Sequence, residues 1–151
     1  MSLNDEDKSG NIEAVIILEV VGKPREHLIE TLEGLIKEMS EEKGVEVVNK
    51  TISDPTDLKD EKDFFTTFAE VEVKAEGIEQ IIGLIFKYMP SHIEIVYPEK
   101  FALSSNLFNE VLNEIARRIH GYDEVARVIQ FERQILENKL KDLLDKKEDK
   151  K

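Results

Sequence analysis

The run Ala14-Val15-Ile16-Ile17-Leu18 is apolar on both of its faces, and it constrains the fold more than any other stretch of the chain. Side chains of a strand point alternately to the two faces of a sheet. A strand that is apolar at every position therefore asks for cover on both sides. The run lies within Ile12–Val21, which reads as a central strand. After it, Gly22-Lys23-Pro24 turns the chain, and the apolar period changes from two to 3.6. Leu28, Leu32, Leu35 and Met39, joined by Ile29 and Ile36, recur at helical spacing as far as Lys43. Pro24 suits the start of that helix and Gly44 its end.

The same two periods alternate along the next fifty residues. Val45–Ser53 reads as a strand through Val45, Val47, Val48 and Ile52, and Asp54-Pro55 ends it. A charged loop runs to about Asp63, and Phe64–Lys74 then alternates cleanly in its second half. A helix over about Gly77–Met89 carries Ile78, Ile81, Ile82, Ile85 and Met89, and Pro90 stops it. His92–Tyr97 is the fourth strand, closed by Pro98. Strand, helix, strand, strand, helix, strand over residues 12–97 predicts an α+β domain. Its form is a ferredoxin-like βαββαβ two-layer sandwich: an antiparallel sheet in the order 4-1-3-2 with both helices on one face.

Residues 98–145 read as a C-terminal extension of two helices. Ser104 or Ser105 caps the first, whose stripe is Leu107, Phe108, Val111, Leu112, Ile115 and Ile119. Gly121 and Asp123 look like a stop and a restart, the alternative being one continuous helix through Gly121 at a cost of about 1 kcal/mol relative to alanine. The second helix, about Asp123–Asp145, repeats Ile129, Leu136 and Leu143 every seven residues, with Val125 and Leu140 beside them. At ~1.5 Å per residue it spans roughly 35 Å, more than the core needs. Residues 1–11 are acidic, polar and expected to be disordered, and 146–151 form a charged tail.

Charge narrows the partners. Thirty-three acids against 21 bases leave a net charge of −12, a field that repels nucleic acid and anionic membrane surfaces. No stretch approaches the roughly 18 apolar residues of a membrane span. The chain has no cysteine, which excludes disulfides, thiolate catalysis and cysteine-based metal centres. With its wealth of Glu, Lys and Ile, the composition is thermophile-like and fits a cytoplasmic protein.

The second sheet face raises the functional question. If Ala14, Ile16, Leu18 and Val20 face the helices, then Val15, Ile17, Glu19 and Val21 face away. Phe64, Phe68, Glu70 and Glu72 share that face with His92, Glu94 and Val96. Burying Val15, Ile17 and Phe68 would contribute about 1.5–3 kcal/mol each, so a cover is expected. The helices after Pro98, from the same chain or a partner, would supply it, with Arg117, Arg118, Arg127 and Arg133 set against Glu19, Glu70 and Glu94.

Chemistry-bearing patterns are sparse. Glu19, Glu70, His92 and Glu94 lie on three neighbouring strands and form the one candidate acidic site, for a divalent metal or for acid–base work. Alternation alone also generates such a face, so no catalytic residue, metal ligand set or cofactor is assigned. Phe64, Phe65 and Phe68 occupy the strand on which RNA-recognition domains stack bases, but the basic and glycine positions of that signature are missing. The acidic loop 54–63 lacks the spacing and central glycine of an EF-hand and reads as a solvated, mobile segment.

Val20-Val21-Gly22-Lys23-Pro24, an amphipathic helix, and Gly44-Val45 opening a strand together resemble the start of ACT domains. The resemblance covers about Ile12–Ser53. It implies a βαββαβ module that pairs through its sheet and binds an amino acid or similar effector, with Gly22 and Lys23 as ligand-loop residues. The family's Pro-Gly reads Pro24-Arg25 here.

The leading expectation is a non-enzymatic interaction or assembly module, a homo-oligomer and in the first instance a dimer. Its interface would comprise Val15, Ile17 and Phe68 with Ile129, Leu136, Leu140 and Leu143. An ACT-like small-molecule sensor is the second reading, and an enzyme using the acidic face the third.

Overall fold

The computed structural model describes residues 11–149. The elements are β1 (Ile12–Gly22), α1 (Arg25–Ser40), β2 (Val45–Ile52), β3 (Thr56–Asp57), β4 (Phe65–Ala75), α2 (Ile78–Tyr88), β5 (His92–Tyr97) and α3 (Ser105–Glu148). They fall into two units that divide between Ser105 and Asn106. The acidic N-terminal segment, apart from Asn11, lies outside the described residues, as do the last two residues of the tail.

The first unit is an antiparallel five-stranded sheet in the order β2-β4-β1-β5, with the short β3 also paired to β4. β1 runs against β4 without a break, from Ile12 opposite Ala75 to Gly22 opposite Phe65. One face is made by Ile12, Ala14, Ile16 and Leu18 against Ala75, Val73, Val71 and Ala69, and every one of these side chains is buried. Leu32, Ile36 and Met39 of α1 close over it, and Leu28, also buried, lies beside Gly22. Their three- and four-residue spacing brings all four onto one side of the helix. Gly44 then turns the chain into β2 at φ +76, a backbone region that side chains with a Cβ avoid.

The buried side of α2 differs from the stripe expected of it. Ile81, Leu84 and Tyr88 are buried, whereas Met89 is 64% exposed in a left-handed cap at φ 47. The apolar side of the helix is broad, with Glu79, Gln80 and Lys87 opposite it, and Ile78 and Ile85 of the expected stripe also pack against the core, so the period alone does not decide between Tyr88 and Met89 at its end. The polar end of Tyr88 does: its hydroxyl reaches Glu42 beyond the end of α1.

The segment expected to be a mobile loop contains β3. Thr56 and Asp57 pair with Thr66 and Phe65. Pro55 is buried, and Arg25 donates a hydrogen bond to its carbonyl. Buried Thr67 donates through Oγ1 to the Ser53 carbonyl at 2.5 Å, and the Leu58 amide donates to the Phe64 carbonyl at 2.9 Å. These bonds satisfy the backbone of a corner whose sequence reads only as charged and polar.

The second unit also corrects an expectation. α3 is one helix of 44 residues, not two, and at ~1.5 Å per residue it is roughly 66 Å long. It passes through Gly121, where a glycine costs about 1 kcal/mol relative to alanine. That is too little to stop a long cooperative helix. The His120–Glu124 contact at 3.2 Å spans the position, and the Asp123–Arg127 ion pair at 2.8 Å follows it directly, both at i,i+4. The helix continues to Glu148, beyond the point at which a frayed tail was expected.

Candidate interaction surfaces

The outer sheet face is a grid whose register follows from the pairings. Across β2, β4, β1 and β5 one row reads Asn49, Glu72, Val15, Glu94. The next reads Thr51, Glu70, Ile17, His92, and Glu19 stands opposite Phe68. Acids therefore flank Val15 on both sides, while Ile17 lies between a glutamate and a histidine. Val15 and Ile17 are half-buried and Phe68 is 47% exposed.

This grid separates the candidate acidic residues. Glu70 and His92 are two strand spacings apart, ~10 Å, with Ile17 between them. Glu94 sits in the neighbouring row. Glu19 accepts a hydrogen bond from Thr66 Oγ1 at 3.3 Å, on the side away from Glu70. Among the described residues no three His, Asp or Glu side chains converge on a point where they could hold one ion. The face interleaves acids with apolar side chains on its two central strands and offers no set of converging ligands.

Both edge strands carry an irregularity on this face. The β2 register shifts between Val47 and Asn49, and the β5 register shifts at Val96. An extra residue bends a strand and re-aims its side chain. Val48 and Val96, 50% and 58% exposed, both border a cleft of about 210 Å³ that includes Val15 and Glu72. The cleft is smaller than the ~300 Å³ at which sites for drug-sized ligands begin. Alternation cannot reveal an extra residue in a strand, so the sequence does not disclose Val48 as part of this face.

At the β1–α1 turn, Gly22 pairs with Phe65, and the Lys23 ammonium lies 5.1 Å from the centre of the Phe64 ring. The Arg25 guanidinium lies 5.7 Å from the Phe65 ring while bonding the Pro55 carbonyl. The turn is thus held against the β3–β4 corner by two cation–aromatic contacts. The arginines of α3 make ion pairs along their own helix. Arg117 and Arg118 take Glu114, Arg127 takes Asp123, and Arg133 takes Glu137.

The residue pattern of α3 is the largest apolar surface of the second unit. No side chain from Tyr122 to Asp149 is buried. Val125 and Ile129 are each 57% exposed, Leu136 65%, Leu140 59% and Leu143 62%. At 100° per residue these five fall within a strip about 60° wide along one side of the helix.

A family model matches residues 13–148, nearly the whole described chain and both units. The chain belongs to the MJ0538 family. One curated relative is a Methanocaldococcus jannaschii protein described as uncharacterized protein MJ0538. It is 28% identical over 112 residues, which cover 73% of this chain and 41% of the relative. The chain thus spans about two fifths of the length of the curated relative that it matches. No solved structure matches at a significant level. No helix among the described residues is long and apolar enough to cross a membrane.

Proposed function

We infer that this member of the MJ0538 family is a non-enzymatic assembly module that forms a homo-oligomer. Its α/β unit is read as a ferredoxin-like sandwich with β3 as an addition, supported by the sheet order β2-β4-β1-β5. The observation that carries the assembly reading is the exposed strip on α3. Monomeric proteins rarely leave several neighbouring large apolar side chains in water. Moving such side chains out of water stabilises association by about 1–2 kcal/mol each, less than full burial because they start partly covered. Val15, Ile17 and Phe68, set among acids on the outer sheet face, are the second contact surface of this reading, one that would meet a different surface of the other copy rather than itself.

Light scattering on the full chain from micromolar to millimolar concentration tests it. A mass that rises to a whole-number multiple of 17.4 kDa is expected. A monomer mass throughout that range overturns it.

A further inference from the structure

The assembly reading leaves open which surface a second copy meets and in which direction. We propose that the distal half of α3 pairs antiparallel with the same segment of a second copy, about a two-fold axis between Glu132 and Arg133. The inference rests on that reading and adds the partner, the segment and the orientation.

Spacing carries the first part of the argument. Tyr122 and Leu143 lie equally far from the midpoint between residues 132 and 133. So do Val125 and Leu140, and so do Ile129 and Leu136. All belong to one continuous helix, and all are at least 44% exposed. A two-fold axis at that midpoint sets each member of a pair against the other member in the second copy. Six apolar layers result, and no charged residue faces an apolar one within them. The central layer holds one Glu132 and one Arg133 from each copy, a neutral set of four. Parallel pairing in register would instead oppose Glu132 to Glu132.

Charge carries the second part. Residues 1–104 hold 23 acids against 11 bases, whereas residues 105–151 hold ten of each. The whole net charge of −12 thus precedes α3, and the helix with its tail is neutral. Parallel helices would bring their Ser105 ends, each joined to an acidic unit, within ~10 Å of one another. Antiparallel pairing about the midpoint sets those ends roughly 80 Å apart, far beyond the ~10 Å over which salt screens charge. The acidic outer sheet face is by the same reasoning a poor match for a second copy of itself, since Glu72 and Glu94 border Val15 on both sides.

The absence of native cysteine makes the test clean. Ile129→Cys and Leu136→Cys are made singly in the full chain, and each is oxidised alone and after mixing with the other. In the antiparallel pair, position 129 of one copy faces position 136 of the other. The two introduced thiols then stand within the ~7 Å between Cα atoms that a disulfide needs. Two identical positions are offset by seven residues, ~10.5 Å along the axis, and cannot join. The expected result is a mixed disulfide between positions 129 and 136, with each variant alone cross-linking at least tenfold more slowly. Self-linking of either variant as fast as the mixture overturns the antiparallel arrangement. So does the lack of any cross-link in a sample that light scattering shows to be dimeric, which would leave assembly standing through another surface. A monomer by light scattering sinks both this arrangement and the assembly reading.

Discussion

The Tyr88 hydroxyl donates to Glu42 Oε1 at 2.8 Å and ties the end of α2 to the turn after α1. Lys87 completes the link, pairing with the same carboxylate and with Glu38 Oε1 at 2.8 Å. Two helices that share a sheet face are thus joined at their C-terminal ends by two charged contacts and one phenolic one.

That link makes stability depend on pH at both extremes. The hydrogen bond from Lys87, then that from Tyr88, holds Glu42 below its ordinary value. Its stabilisation is present above the unfolded carboxylate value, about 4.3, and is lost as pH falls through the folded one. Hydrogen bonds to Glu38 and Glu42 raise Lys87, and burial followed by Glu42 pushes Tyr88 up to about 12. Their contributions are complete below about pH 10; that of Tyr88 is lost as pH rises through about 12, and that of Lys87 only as pH rises through its own raised value. Tyr88→Phe is expected to lower stability by about 1 kcal/mol at pH 7. Urea midpoints at pH 3, 7 and 11 check this, and a difference from the parent that stays constant over that range contradicts it.

Gly44 should tolerate no side chain without loss. Its φ of +76 costs a residue with a Cβ about 1–2 kcal/mol, and the added Cβ would lie 3.0 Å from Glu76 Oε2. Gly44→Ala is expected to destabilise by about that amount. Gly44→Asn should lose less on the backbone account, because asparagine enters the left-handed region more readily. Thermal unfolding of the two variants provides the comparison, and an unchanged melting temperature for Gly44→Ala would refute the argument.

The corner that carries β3 hangs on Thr67. Thr67→Val keeps the shape but leaves the Ser53 carbonyl without its 2.5 Å donor, a loss of about 1–3 kcal/mol. Lys59 and Lys62 are already exposed, and local opening is expected to free the backbone around them for a protease to engage. Trypsin should therefore cut there several times faster in the variant than in the parent chain, and equal rates would show that the corner is held by other bonds.

Much of the first unit is legible in the sequence because burial imposes a period. Ile12, Ala14, Ile16 and Leu18, and Leu28, Leu32 and Met39, follow their periods and are buried as those periods require. What escapes has no period to read. Tyr88 is chosen over Met89 by a hydroxyl partner 46 residues away, and β3 by the buried Pro55 and the reach of Arg25. Val48 enters the outer face through an irregularity in β2. At Gly121 a local preference of about 1 kcal/mol is outweighed by the cooperativity of a helix of 44 residues. Alternation puts Glu19, Glu70, His92 and Glu94 on one face. Their separation follows from the register, which alternation does not supply.

The central layer at Glu132 and Arg133 offers the sharpest change in assembly. Glu132→Arg gives each copy two adjacent positive charges, so the layer would hold four like charges in place of a neutral set. Arg133→Glu does the same with negative charge. Each variant alone is expected to dimerise at least tenfold more weakly, because like charges brought together at an interface oppose association. Both positions are exposed, so the folded helix should persist, and circular dichroism checks that it does. Mixing the two variants sets arginine against glutamate in both halves of the layer, and the mixed dimer should recover the parent affinity. Sedimentation equilibrium of the two variants, separately and together, reads this directly. Unchanged affinity in either variant alone would place the contact elsewhere on the chain.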